Sequence, residues 1–182
     1  MKLLKITLFA MLCLCMMACS DDSKKEVTLV DAQKAYNDAK GTYKGYVLDE
    51  NVPTAVMITL GEEFKISNLP VTPLLERFLS GADLDKAVAS VKERVFKAPT
   101  ASMAVTGDLV YVLMEPTDWL LTATVDGQKY EVSALMSTAA CYNHTYDKLS
   151  VSITVDELFC NNEKADLTQN TITWLIDEAT RQ

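Results

Sequence analysis

A chain with one histidine, His144, cannot build a histidine-rich zinc site, and no HExxH motif is present. Glycine is nearly as scarce. The six glycines form no GxGxxG, P-loop or GxSxG motif, so no glycine-rich loop cradles a phosphate and no nucleophile elbow presents a serine. Basic charge is also short, with 17 Lys and Arg against 25 Asp and Glu and no basic run beyond Lys24-Lys25. Nucleic-acid affinity comes largely from lysine and arginine displacing counterions, so nucleic acid is excluded as a partner. Long apolar runs are missing too. Residues 8–18 are apolar without a break, but a bilayer-spanning helix needs about 20 such residues. Every later apolar stretch is interrupted within a few residues by Asp, Glu, Lys or Thr.

That one apolar run reads as export machinery. Lys2 and Lys5 precede it and Ala18 ends it, the pattern of a cleaved signal over residues 1–18. Cys13, Cys15 and Cys19 all lie in this region. Only Cys19 follows a small residue, Ala18, and marks the change from apolar to polar, since Ser20-Asp21-Asp22-Ser23-Lys24-Lys25 comes next. The expectation is a lipoprotein held to a membrane by acyl chains on Cys19, each buried methylene contributing about 0.8 kcal/mol. Without the signal, 15 basic residues face 25 acidic ones, a net charge of −10. Such a surface does not lie flat on anionic lipid, so the anchor holds the protein alone. Residues 19–28 then form the lipidated cysteine and a short acidic tether, spanning about 16 Å if coiled, and residues 29–182 form one globular domain. Ser20-Asp21-Asp22 resembles the acidic export tag of surface-exposed Bacteroidetes lipoproteins, which implies an outer-membrane protein facing outward; a plain solvated linker would leave it on the periplasmic face.

Within the domain the hydrophobic period changes several times. Ala32, Ala35, Tyr36 and Ala39 fall on one stripe and predict a helix entered at Thr28 and stopped at Gly41. Residues 42–48 and 54–60 predict strands joined through residues 49–53, and residues 64–66 a shorter third. A two-helix insertion follows. Thr72-Pro73 opens the first helix, with Leu74, Leu75, Phe78 and Leu79 on one face. Asp83 caps the second, in which Leu84, Ala87, Val88, Val91 and Val95 share a side and Ala98-Pro99 is the stop.

Strands then return. Gly107-Asp108 separates residues 101–106 from 109–115. Asp126-Gly127 suits a type I′ hairpin turn between Trp119, Leu121, Ala123 and Val125 on one side and Tyr130, Val132 and Ala134 on the other. Leu149, Val151, Ile153 and Val155 alternate with Ser150, Ser152 and Thr154, and Ile172, Trp174 and Ile176 complete the sheet. Alternation gives one wet face and one packed face. The predicted class is α+β and mostly antiparallel β, a sandwich or a partly closed barrel, with an N-terminal helix and a two-helix insertion against it.

Chemistry is sparse. Cys141 and His144 are a nucleophile and base only if the chain turns between them, because positions three apart on a strand face opposite ways; a loop histidine is the plainer reading. The acidic pairs Asp49-Glu50, Glu62-Glu63, Asp156-Glu157 and Asp177-Glu178 read as solvated surface, since adjacent strand carboxylates point apart and a glycosidase needs them facing. Asp83-x-Asp85 lacks the alternating ligands and central glycine of a calcium loop. No catalytic, cofactor or metal residue is assigned, and the domain is expected to be a non-enzymatic binding or accessory protein for an unknown protein or glycan. Trp119 and Trp174 fall on the apolar phase and belong to the core. Tyr142 and Tyr146 sit in the least regular stretch, residues 139–148, and are the candidate exposed ligand contacts. If the segments ending at Cys141 and Cys160 form one hairpin turning near Tyr146, Cys141 pairs near Val151 and the thiols stay free; a loop crossing over residues 139–148 would allow a bridge.

Gly41-Thr42-Tyr43-Lys44-Gly45, the Asn68-Leu69-Pro70 before a leucine-rich helix and the strand order afterwards resemble a family of Bacteroidetes lipoproteins called domain of unknown function 4840. The resemblance spans nearly all of the mature chain and implies a cell-envelope location without any activity. The GxYxG opening also resembles, over one short motif, the first strand of lipocalin-like barrels. A barrel with an underfilled interior would be a small-ligand carrier; acids facing each other across a cleft would be a hydrolase.

Overall fold

The computed structural model describes residues 29–49, 52–168 and 170–182. The signal, Cys19 and the tether lie outside the described residues, as do Thr28 and the turn residues Glu50 and Asn51.

Helix α1 (Leu29–Ala39) leads into β1 (Gly41–Asp49), β2 (Val52–Leu60) and β3 (Glu63–Ser67). The insertion is α2 (Thr72–Leu75) and α3 (Gly81–Ser90), followed by β4 (Val95–Thr106), β5 (Leu109–Met114), β6 (Thr117–Val125), β7 (Gln128–Asn143), β8 (Lys148–Cys160), the two-residue β9 (Glu163–Lys164) and β10 (Thr173–Arg181). All pairings are antiparallel. The order β7-β5-β4-β3-β2-β1-β10-β8 returns to β7, so eight strands close a barrel and the sandwich alternative falls away. β6 continues β5 along the same edge of β7 and extends the wall upward.

The period-two pattern fills the inside. Tyr43 and Val47, Val56 to Leu60 at every second position, Phe64 and Ile66, Val110 and Val112, Val132 to Ala140, Leu149 to Val155 and Trp174 and Ile176 are all buried on the inward phase. Four rings cross the interior in a chain of tilted and edge contacts. Phe64 meets Phe96 at 6.5 Å, Phe96 meets Trp119 at 6.3 Å and Trp119 meets Trp174 at 6.5 Å between centroids. Both tryptophans are core residues, as their strand phase predicts.

Each end of the barrel is covered. At the lower end α1 lies across the opening, with Tyr36 and Ala39 buried and the Tyr36 hydroxyl donating to the Gly61 carbonyl. At the upper end α2 and α3 bury Leu74, Leu75, Ala87 and Val91. There Lys86 meets Asp126 at 2.7 Å, and the Ser90 hydroxyl accepts from the Thr124 backbone N–H, which covers the free edge of β6. The Arg94 guanidinium donates to the Val88 and Val91 carbonyls and caps α3.

Several sequence expectations need correction. The second helix ends at Ser90, not near Val95, because Val91 is already extended (φ −75, ψ 102) and Val95 opens β4. Val91 and Val95 are four apart, which fits a helix stripe, but Phe96 and Ala98 alternate into the barrel. Pro99 therefore sits inside β4, opposite Glu63, with its carbonyl accepting from the Glu115 backbone N–H just past β5. α3 begins at Gly81, so Asp83 lies in its first turn and is not the cap. α2 begins at Thr72 with Val71 preceding it, and lasts a single turn. Gly41 does not stop α1 but starts β1. The Asp126-Gly127 turn is where the sequence places it, with both residues at positive φ (48 and 88), as a type I′ turn requires.

Candidate functional site

The two glycines and the tyrosine of the GxYxG opening all serve the closure of β1 on β10. That ladder has only two register pairs among the described residues, Tyr43 with Arg181 and Lys44 with Thr180. A Cβ on Gly41 would lie 2.6 Å from an Arg181 guanidinium nitrogen, and one on Gly45 would lie 2.4 Å from Ile176 Cγ2. The missing side chains leave room for β10 to lean onto β1. Between them the Tyr43 ring lies under the Arg181 guanidinium at 5.0 Å, a cation–π contact.

Arg181 ties together the lower end. Its Nη1 donates to the Lys40 carbonyl just past α1 at 2.8 Å and its Nη2 to the Asp38 carbonyl in the last turn of α1 at 2.8 Å. Its Nε reaches Asp147 Oδ1 at 2.9 Å, and Nη2 also donates to the Tyr142 hydroxyl at 3.1 Å. The Tyr142 hydroxyl in turn donates to Asp147 at 2.7 Å. Burial alone would lower the guanidinium, but its bonds to Asp147 and Tyr142 outweigh that and hold it above the ordinary arginine value. The Tyr142 hydroxyl and then Arg181 hold the Asp147 carboxyl below the usual range. Burial pushes the Tyr43 phenol up, with Arg181 opposing. The network fastens helix, first strand, last strand and the β7–β8 turn.

Tyr142 and Tyr146, expected as an exposed pair, are separated by the structure. Tyr146 stands 70 % exposed on the turn between β7 and β8. Tyr142 is only 4 % exposed, because β7 runs unbroken to Asn143 and the inward phase of Met136, Thr138 and Ala140 carries on to Tyr142. That alternation was visible in the sequence; the Asn and Tyr content of residues 139–148 masked it. Arg181 carried no sequence signal, since its partners come from three distant segments.

Cys141 and His144 do not form a nucleophile and base. Cys141 takes the outward phase of β7, buried beside Tyr111 and Ser150 in the ladders, and burial pushes its thiol up to about 11. An activated thiol is shifted the other way. The His144 ring packs edge-on against Tyr142 at 4.8 Å. Cys141 pairs with Ser150, one residue from the expected Val151, while Cys160 pairs with Val132 at the other end of β8, and both thiols are free. Among the described residues no three His, Cys, Asp or Glu side chains gather as a metal site. The acidic pairs are dispersed: Glu63 meets Lys97, Glu157 meets Lys164, and Asp156 accepts from the Ser137 hydroxyl.

On the outer wall, large apolar side chains gather on one side. Tyr46 (55 % exposed) and Leu48 (65 %) of β1 and Leu175 (59 %) of β10 stand on the outward phase of neighbouring strands, while Val52 (63 %) takes the opposite phase at the exposed end of the β1–β2 hairpin. Beside them β10 bulges between Ile176 and Ala179, with Glu178 at φ 52. Among the described residues no helix is long and apolar enough to cross a membrane. No family model, curated protein or solved structure matches this chain.

Proposed function

We propose that this protein is a non-catalytic binding or accessory lipoprotein, anchored through Cys19 to the outer membrane and facing the cell surface, that engages a protein or glycan partner with the outer wall of its barrel. The observation that carries the reading is the outward-facing set of Tyr46, Leu48 and Leu175 on the adjacent strands β1 and β10. A folded domain exposes scattered apolar residues, but three large ones on the same face of adjacent strands are the kind of grouping that marks an interaction site. The acidic composition and the export-like Ser20-Asp21-Asp22 support the location. The resemblance to the Bacteroidetes lipoprotein family supports the envelope setting in the same way.

Membrane fractionation and mild-detergent co-purification test both halves. Cys19→Ala is expected to move the protein out of the detergent phase, and a variant that still partitions with outer membrane refutes the anchor. The double variant Leu48→Ser, Leu175→Ser is expected to stay anchored and folded but lose whatever co-purifies with the wild type. An unchanged set of co-purifying molecules refutes the outer-wall site.

A further inference from the structure

Part of the outer wall carries no charge across five strands. On β5 the inward phase is Val110, Val112 and Met114, all buried, so Tyr111 and Leu113 point outward. Residues opposite one another in a ladder share a face, and the register carries this outward face to both sides. One row is Ser102 on β4, Leu113 on β5, Ala139 on β7, Ser152 on β8 and Leu175 on β10. The row below it is Ala104, Tyr111, Cys141 and Ser150. The row above it is Ser137, Thr154 and Thr173. None of these positions holds Asp, Glu, Lys or Arg. Charge returns around them, at Lys148 below, at Glu115 and Asp156 above and at Asp177 and Glu178 in the β10 bulge. An uncharged centre inside a charged rim is the composition of an interface.

The sizes in the longest row point to one partner. From β4 to β10 they run small, large, small, small, large, with Ala139 in the middle. Turned over about a twofold axis along β7, this row fits itself. Leu113 then lies on Ser152, Leu175 on Ser102, and Ala139 on its own equivalent. The row below follows the same rule, with Tyr111 on Ser150. Such self-complementarity is what an interface between two identical subunits requires. Charge favours the same face: two copies with 25 acidic residues against 17 basic ones repel wherever their charged walls meet, and here they approach without that repulsion.

We propose that the protein forms a twofold dimer through this face, with β7 of a second copy laid over its own β7. The proposal goes beyond the outer-wall reading, because Tyr46 and Leu48 lie outside the face and only Leu175 belongs to both. Five strands about 4.8 Å apart and eight residues of about 3.3 Å each make a face of about 600 Å². Two copies then bury about 1,200 Å², the low end for a specific interface, so the dimer is weak, with a dissociation constant in the micromolar range.

Sedimentation equilibrium tests this on the mature chain carrying Cys19→Ala, which has no acyl group to drive association. The wild-type face is expected to give a concentration-dependent monomer–dimer equilibrium. Ala139→Arg sets two guanidinium groups against each other on the axis and is expected to weaken the dimer at least about tenfold. Ser152→Leu sets a leucine against Leu113 of the second copy and is expected to weaken it by about tenfold as well. Adding Leu113→Ser to Ser152→Leu exchanges large for small on both sides and is expected to restore wild-type association. Thermal midpoints verify that each variant is folded, and should Ala139→Arg fail to fold, the exchange pair decides alone. A chain that stays monomeric up to submillimolar concentration overturns the proposal and leaves the face to a different partner. A dimer indifferent to Ala139→Arg, or an exchange variant as weak as Ser152→Leu alone, overturns it too.

Discussion

Gly45→Ala probes the closure of the barrel directly. The new methyl would lie 2.4 Å from Ile176 Cγ2 and 3.0 Å from Ala179 Cβ, both on fully buried residues of β10. Neither neighbour can swing away, since Ile176 is held opposite Val151 and Ala179 opposite Leu149. Overpacking of this kind costs about 1–3 kcal/mol. Alanine also restricts the unfolded chain and returns about 0.4–1 kcal/mol, so the net loss should be about 1–2 kcal/mol. For a domain of this size that lowers the melting temperature by about 2–4 °C per kcal/mol. Ile176→Ala alone should cost about 2–5 kcal/mol by opening a cavity. The double variant Gly45→Ala, Ile176→Ala should be more stable than the sum of the two losses by about 1–2 kcal/mol, because the added methyl then occupies space that Ile176 has vacated. Equilibrium urea denaturation of all four proteins measures the cycle. Losses that add to within about 0.5 kcal/mol, or a Gly45→Ala variant more stable than the wild type, would refute the account of why a glycine stands here.

Three further outcomes follow from the lower end and from the cysteines. The Asp147 carboxyl is held low by Tyr142 and Arg181, so its contribution is fully present above the ordinary carboxylate value and is lost as pH falls through the depressed one. The stability gap between wild type and Asp147→Asn should therefore be constant near neutrality and shrink below about pH 4; a gap independent of pH in urea titrations would remove Asp147 from the network. The mature chain, unfolded without reductant, should take up two thiol labels, at Cys141 and Cys160, and none would mean a bridge. The Cys141 thiol rises from an ordinary 9.0 to about 11 on burial. The folded state then favours the neutral thiol, and this contribution should fade as pH climbs from 9 towards 11, a loss that Cys141→Ala reduces.

Much of the architecture is legible in residue order alone, because it rests on local physics. Alternation in residues 149–155 places an inward face whatever the strand pairs with, and Asp126-Gly127 specifies a tight hairpin since its two residues tolerate positive φ. The same logic puts Trp119 and Trp174 in the core. Tertiary structure decided what local periodicity leaves ambiguous. Val91 and Val95 fit a helix stripe equally well, and only pairing with β3 makes Val95 a strand residue. Tyr142 reads as a loop aromatic until β8 extends β7 and Arg181, from the far end of the chain, caps its hydroxyl. Whether the sheet is a sandwich or a barrel depends on two register pairs between β1 and β10. Those pairs join segments some 140 residues apart in the chain, and the space they need comes from Gly41 and Gly45, whose significance lies in an absent side chain. A pattern of single residues carries burial and turn preference, but it does not carry which distant backbone comes close enough to require a glycine.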